Sequence, residues 1–382
     1  MDPEGEGNPV MKILVASDKF KGSLTAVEAC AAISEGLREA LTDPRHEIRC
    51  VPIADGGDGI AEILLTATGG RWIETEVRDP LGAPLGAGYA LLANGKTAVI
   101  EMAKASGIVL LGKRENDPFR ASTYGTGQLI RHAIAAGASE IILGIGGSAT
   151  NDGGTGLAEA LGYRFEDAHG APIENLPAGI ELVARIAPPD KTTFPRVIVA
   201  CDVTNPLLGP DGCTRVYGPQ KGISPEDLSI HEERLAHLVE VTEKGRAAAN
   251  RPGAGAAGGL GFGALVFLGA ELVRGFDLVA ERLGLASAVA EADLVITGEG
   301  CLDAQSLEGK GPHGVIRLAG AHGKATVAFC GRLGDRSLEE EFGPIVEIRH
   351  PGKSLEENMA RASELLRKAA SRFMHGRLAA EA

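Results

Sequence analysis

Asp18, Lys19 and Lys21 stand together in Ser17-Asp-Lys-Phe-Lys-Gly-Ser23, directly after the apolar run Lys12 to Ala16. Lysines ahead of a helix N-terminus suit a phosphate or a carboxylate, because bare N–H groups and the helix dipole add to their charge. The bland alternative is a set of solvated loop charges. A second acidic loop, Ala54-Asp-Gly-Gly-Asp-Gly59, follows the strand expected over Ile48 to Ile53. Its Asp55 and Asp58 suit Mg²⁺, bound directly or through water, or equally an Asx-turn and an N-cap. Asp202 follows the apolar run Val197 to Cys201, as a base or metal ligand or as a turn cap. A fourth group, Gly298-Glu-Gly-Cys-Leu-Asp303, follows the run Asp293 to Thr297 and precedes Glu308-Gly-Lys310-Gly.

Two glycine-dense segments lie between these loops. Leu143-Gly-Ile-Gly-Gly-Ser-Ala-Thr-Asn-Asp-Gly-Gly-Thr-Gly156 joins an apolar strand to a helix and carries Ser148, Asn151 and Asp152. Backbone N–H groups at such a turn make an anion site. The other is Pro252-Gly-Ala-Gly-Ala-Ala-Gly-Gly-Leu-Gly261. Gly144 to Ala149, with Glu166 further on, and Gly253 to Gly258 each match a dinucleotide fingerprint. Asn151 to Gly154 interrupt the helix that the first one needs, and Pro252 replaces the strand that the second one needs.

These residues need a scaffold, and the chain is long enough for two domains at 382 residues. Five apolar runs, over 12–16, 48–53, 293–297, 325–330 and 345–348, alternate with helical patterns. That is the element order of a five-stranded parallel α/β sheet, which receives ligands beyond the carboxyl ends of its strands. Thr25 and Glu28 form a capping-box pattern at the first helix. The sheet domain is expected over residues 11–70 and 290–382, with a last helix from Leu355 to Met374. A second α/β domain, residues 71–289, is expected as an insertion, beginning with antiparallel strands around Asp79-Pro-Leu-Gly82 and containing an amphipathic helix from Leu228 to Val241. Hinges at Gly69-Gly70 and near Ala286 to Glu291 are expected to let the two domains close over ligands.

The net charge of −13 argues against nucleic acid or an anionic membrane surface as the main partner. Six cysteines with no Cys-x-x-Cys are read as free thiols of a cytoplasmic protein. Residues 1–10 lack the features of a signal peptide and are read as a disordered extension. Residues 253–270 carry no charge, but their glycines favour a buried turn and helix over a membrane span.

Taken in order, the motifs Asp18-x-Phe-Lys-Gly-Ser23, Ala54-Asp-Gly-Gly-Asp58, Gly144 to Gly154, Ala200-Cys-Asp-Val203, Asn205-Pro-Leu-Leu-Gly-Pro210, Gly218-Pro-Gln-Lys-Gly222, Pro252 to Gly261 and Gly298-Glu-Gly300 with Leu302-Asp303 resemble the type 1 glycerate kinase family over nearly the whole chain. The resemblance implies ATP-dependent phosphorylation of D-glycerate to 2-phosphoglycerate. It also implies a flavodoxin-like domain built from both termini, with an α/β domain inserted. Mg²⁺ is then held by some of Asp55, Asp58, Glu299 and Asp303, and Lys19, Lys21, Lys221 and Lys310 are the cations. Asp202 or Asp303 takes the hydroxyl proton. Backbone at Gly146, Gly147 and Ser148, and around Gly255, Gly258 and Gly259, cradles phosphates or the glycerate carboxylate. Ser23, Asn151, Asp152, Asn205 and Gln220 lie in motifs implied to bind substrate or nucleotide.

Two positions depart from the family pattern. Cys301 stands where an arginine is common, and His313 stands where an apolar residue is common. At the first, either another cation, Lys310 or Lys21, takes over, which is the favoured expectation, or substrate binding is weaker; at the second a change of packing is expected. Two other functions compete with this one. An NAD(P)-dependent oxidoreductase of a small hydroxy acid would oxidise NADH without ATP turnover. A non-catalytic small-ligand sensor would bind without turnover.

Overall fold

The computed structural model describes residues 10–54, 56–190, 194–307 and 311–381. Asp55, Lys310 and the N-terminal stretch up to residue 9 lie outside them. The strands in chain order begin with β1 (Lys12–Ser17), β2 (Glu47–Cys50), β3 (Gly70–Arg78), β4 (Pro84–Leu92), β5 (Thr97–Glu101) and β6 (Glu140–Gly144). A short pair follows, β7 (Arg164–Glu166) and β8 (Arg185–Ala187), then β9 (Arg196–Ala200) and β10 (Glu271–Val273). The last are β11 (Leu294–Leu302), β12 (Ala325–Leu333) and β13 (Ile345–Glu347).

Contacts divide the chain into two units, Met1–Ala54 with Val279–Ala382, and Asp55–Leu278. The divisions therefore fall earlier than the expected 70/71 and 289/290. The helix Ile60–Thr68 packs on β4 and β5 of the second unit, and Leu285–Glu291 packs on β1 and the helix Gly311–Ala321 of the first.

In the first unit the strand order is β13-β12-β11-β1-β2, with every pair parallel. Counted within the unit, this is the 2-1-3-4-5 order of a flavodoxin-like sheet. β1 is buried at every residue but its first, as a central strand covered on both faces must be. Ile13, Val15, Ile296 and Phe329 pack under the helices Ala26–Ala40 and Ala362–Glu381. Ala328 and Cys330 point to the other face, toward Ile316 of the helix Gly311–Ala321. Thr25 and Glu28 cap the first helix reciprocally, at 3.2 and 2.8 Å, as their spacing predicts.

Two expectations for this unit change. The C-terminal helix is broken, because Arg361 leaves helical geometry with φ −111° between Leu355–Ala360 and Ala362–Glu381. β11 does not stop at Thr297. It runs on through Gly298-Glu-Gly-Cys to Leu302, because β12 also extends and pairs Cys301 with Arg332 and Leu302 with Leu333.

The second unit has a six-stranded sheet ordered β10-β9-β6-β5-β4-β3. β3, β4 and β5 run antiparallel, and β5, β6, β9 and β10 run parallel. The expected turn between β3 and β4 is held by Asp79, whose Oδ1 accepts the N–H groups of Leu81 and Ala83 at 2.9 and 2.8 Å. Tyr89, Ile100, Leu129, Ile141, Val199 and Leu260 form the centre of its core. The uncharged stretch after Pro252 is a helix, Ala256–Leu268, whose first turn is distorted by left-handed Ala257, Gly258 and Gly259. Among the described residues no helix is long and apolar enough to cross a membrane. The six cysteines form no disulfide with one another.

Candidate active site

At the carboxyl edge of the first sheet, β1 and β11 are joined by side chains as well as by backbone. Ser17 Oγ donates to Gly298 O at 3.1 Å, and Thr297 Oγ1 donates to Ala16 O at 2.7 Å. Asp18 is 5% exposed, and its Oδ1 accepts the N–H of Lys19 at 2.6 Å. The following loop lies against β11, since a Cβ at Gly300 would stand 3.0 Å from Lys21 N. Lys21 itself is exposed. Ser23 turns inward and donates to Phe20 O at 2.9 Å, so its hydroxyl shapes the turn.

Further along that edge, Glu299 is half-buried on β11. Cys301 Sγ lies 3.8 Å from Asp303 Oδ2 and accepts from Arg332 Nη2 at 3.6 Å. His313 is buried, with Nε2 3.2 Å from Glu341 Oε1 and its ring beside Phe342. Position 313 is a packing position, as its departure from the family pattern implied.

In the second unit the acidic loop lies on the first glycine segment. A Cβ at Gly146 would stand 3.0 Å from Gly57 Cα, and one at Gly147 would stand 3.7 Å from Asp58 Oδ1. Sequence reasoning paired neither loop with the other. It also missed Glu101, at the end of β5, which is 4% exposed. Its Oε1 accepts the N–H of Gly59 at 3.0 Å and of Ala61 at 2.9 Å, capping the helix Ile60–Thr68 where Gly59 offers no side chain. Burial raises its carboxyl above the usual range, against the pull of these N–H groups and Lys104.

Several residues expected to touch ligand are instead engaged within the protein. Asp152 is 1% exposed and accepts from Thr123 N and Thr123 Oγ1 at 2.8 Å each, from Gly154 N at 3.1 Å and from Gly156 N at 3.2 Å. It ties the starts of the helices Tyr124–Ala135 and Thr155–Ala160 together. Asn151 is buried and donates to Thr214 Oγ1 at 3.0 Å. Asn205 donates to Asp211 O and accepts from Tyr217 Oη, at 2.8 and 2.7 Å. Gly255 gives its N–H to Asn205 O at 3.0 Å.

Gly258 has φ +67°, and a Cβ on it would stand 1.9 Å from Thr150 O. Its own carbonyl accepts the N–H of Gly153 at 3.0 Å. Gly259 likewise approaches Gly153, so the second glycine segment serves close packing on the first. Lys221 is 3% exposed and donates from Nζ to Thr150 O at 2.7 Å. Burial lowers its ammonium to about 8, against the attraction of Cys213 and Asp152. Asn116, also missed, donates to both Ala149 O and Lys221 O at 2.8 Å and ties these segments. Gln220 stays exposed beside Lys221. Asp202 Oδ1 accepts the N–H of Gly275 at 3.0 Å, ahead of the helix Gly275–Arg282.

Among the described residues no group of three or more His, Cys, Asp and Glu forms a metal cage. Asp58 and Glu299 each offer hard carboxylate oxygens. Such donors suit Mg²⁺ in the mode where one or two carboxylates complete a shell of phosphates and water. The dinucleotide reading loses its support. Glu166 is engaged by Arg164 and Arg185 at 3.6 and 3.5 Å, and the helix after Gly144 begins only at Thr155.

A doubly wound parallel sheet with charged loops at its carboxyl edge, and a second α/β unit built around glycine turns, marks an α/β enzyme. The glycerate kinase family model matches residues 13–377. A glycerate kinase of Bacillus subtilis (strain 168) is 44% identical over 328 residues, 85% of each chain. A glycerate 2-kinase of Escherichia coli (strain K12) is 43% identical over 333 residues, 85% of this chain and 86% of the relative. A crystal structure from Salmonella typhimurium LT2, of a candidate glycerate kinase 2, superposes with a TM-score of 0.86 at 39% identity. That match covers 98% of this chain and 100% of the other. The chain belongs to the glycerate kinase family and is a kinase.

Proposed function

We propose that this protein transfers the γ-phosphoryl group of ATP to D-glycerate, giving 2-phosphoglycerate and ADP. The observation that carries this reading is the family match across residues 13–377, supported by a glycerate 2-kinase at 43% identity. Phosphoryl transfer needs positioning and charge neutralisation more than covalent chemistry from the protein. Lys19, Lys21 and Lys310 are the proposed cations, and backbone at Gly146, Gly147 and Ser148 is the proposed oxyanion cradle. Asp58 and Glu299, with Asp55, are the carboxylates proposed for Mg²⁺, an ion that when bound neutralises phosphate oxygens. Asp202 or Asp303 accepts the proton of the glycerate hydroxyl as that oxygen attacks the γ-phosphorus. Asp152, Asn151, Gly255, Gly258, Gly259 and Lys221 act one step back, by fixing the loops.

A coupled assay with D-glycerate, ATP and Mg²⁺, with the product identified by NMR, tests this reading. Glycerate-dependent ADP release that EDTA abolishes is expected. Its absence refutes the activity, and a 3-phosphoglycerate signal refutes the regiochemistry. Asn serves turns as well as Asp does, whereas loss of an acid–base group costs roughly 10²-fold or more in rate. Asp202→Asn and Asp303→Asn therefore separate the base from a turn residue. Near-wild-type turnover in both variants removes both from the chemistry.

A further inference from the structure

Arg332 has no place in the sequence motifs, yet it reaches the carboxyl edge of the first sheet. It is the register partner of Cys301 across β11 and β12. Its exposed guanidinium donates to Cys301 Sγ at 3.6 Å, and that sulfur lies 3.8 Å from Asp303 Oδ2. A thiol is a weak acceptor, whereas a guanidinium carries five N–H donors in a planar fork. Among the described residues this is the hydrogen bond that the Arg332 side chain makes, with Asp303 and Glu347 attracting its charge without hydrogen-bonding it, so a carboxylate or phosphoryl group brought against the guanidinium would be a far better partner than the thiol. The location fits a ligand contact. It lies in the last residues of two parallel strands, at the carboxyl edge of the sheet and one strand from β1, near the β1–β11 switch point where such sheets receive ligands. Gly300, next to Cys301, also brings the Lys21 backbone to this edge.

We infer that Arg332 is a substrate-binding residue which holds an oxyanion, either the glycerate carboxylate or a phosphoryl oxygen of ATP. Cys301, small and uncharged, leaves room for the guanidinium to lie across it. The resemblance places an arginine at 301; here a guanidinium reaches the same spot from the neighbouring strand. On this inference Arg332 supplies the cation expected of Lys310 or Lys21, the former of which lies outside the described residues. The inference rests on the proposed kinase activity.

The test is Arg332→Gln in the full chain, with KM measured separately for D-glycerate and ATP and each ligand also titrated by calorimetry. Loss of a charge-assisted contact is expected to weaken one ligand by about 10- to 100-fold, with the other within twofold. A change confined to D-glycerate identifies the carboxylate, and one confined to ATP identifies the phosphoryl group. Adding Cys301→Arg to Arg332→Gln is expected to restore most of the loss, a rescue that a purely structural role would not give. If both ligands stay within twofold of wild type, or if Cys301→Arg restores nothing, the inference is overturned. Should the wild type release no ADP with glycerate, the kinase reading fails instead. The calorimetric titrations, which need no turnover, still decide whether Arg332 binds either anion.

Discussion

Gly258 and Lys221 show how residues of a glycine-rich motif can be engaged by the protein's own backbone. At Gly258 the left-handed φ of +67° and the 1.9 Å approach of Thr150 O both exclude a side chain. Gly258→Ala is expected to lower unfolding stability by about 2 kcal/mol or more, from steric overpacking added to backbone strain, as read from urea denaturation. Lys221 carries a pH signature. Burial lowers its folded-state ammonium to about 8 from 10.5, so between these values the unfolded chain binds more protons than the native one. Stability from this residue therefore rises with pH across that window and is flat below it. The full span is worth about 3 kcal/mol. Urea midpoints of the wild type, measured against Lys221→Met, should show this rise between about pH 8 and pH 10.5. A difference that does not vary with pH would mean that the ammonium is not desolvated.

At the scale of elements, Glu101 and the long β11 matter most. The helix Ile60–Thr68 starts from a glycine and takes its cap from the end of β5, through N–H bonds of 3.0 and 2.9 Å. Glu101→Ala leaves both N–H groups without their acceptor and is expected to cost about 1–2 kcal/mol, the usual worth of a cap. Glu101→Gln keeps an acceptor and should cost less. Equal melting temperatures for the two variants would show that the carboxylate is not the cap. The extension of β11 to Leu302 has a structural consequence, because it turns Cys301 from a loop residue into the strand partner of Arg332.

At the scale of the molecule, each unit closes its own core. The second unit contains a complete six-stranded sheet with its own hydrophobic cluster, and its chain is continuous from residue 55 to 278. The first unit is assembled from both ends of the chain. Residues 55–278 expressed alone are therefore expected to fold cooperatively. A sigmoidal thermal transition by circular dichroism and dispersed amide NMR signals would bear this out. A non-cooperative melt would show that the second unit needs the first.

The sequence by itself determined the strands at both ends of the chain, the β3–β4 hairpin around Asp79, the Thr25–Glu28 cap and the family. Each of these is written in local patterns, in the spacing of apolar residues or in short motifs. The parallel character of the sheet followed from the same patterns, because strands alternating with helices need crossover connections, whereas its strand order is read from the folded sheet. Other features depend on partners remote in sequence. Asp152 and Lys221 look like ligand-binding groups in their motifs, but Thr123 and Thr150 engage them once the chain folds. Glu101 acquires its role from a helix 40 residues earlier. The reach of β11, and with it the meeting of Cys301 and Arg332, depends on β12 extending alongside, since a strand lasts as long as its neighbour supplies hydrogen bonds. Burial and non-local pairing are properties of the folded chain, so only the tertiary structure could decide which charged residues stay exposed at the strand ends and which ones are buried to hold the loops in place.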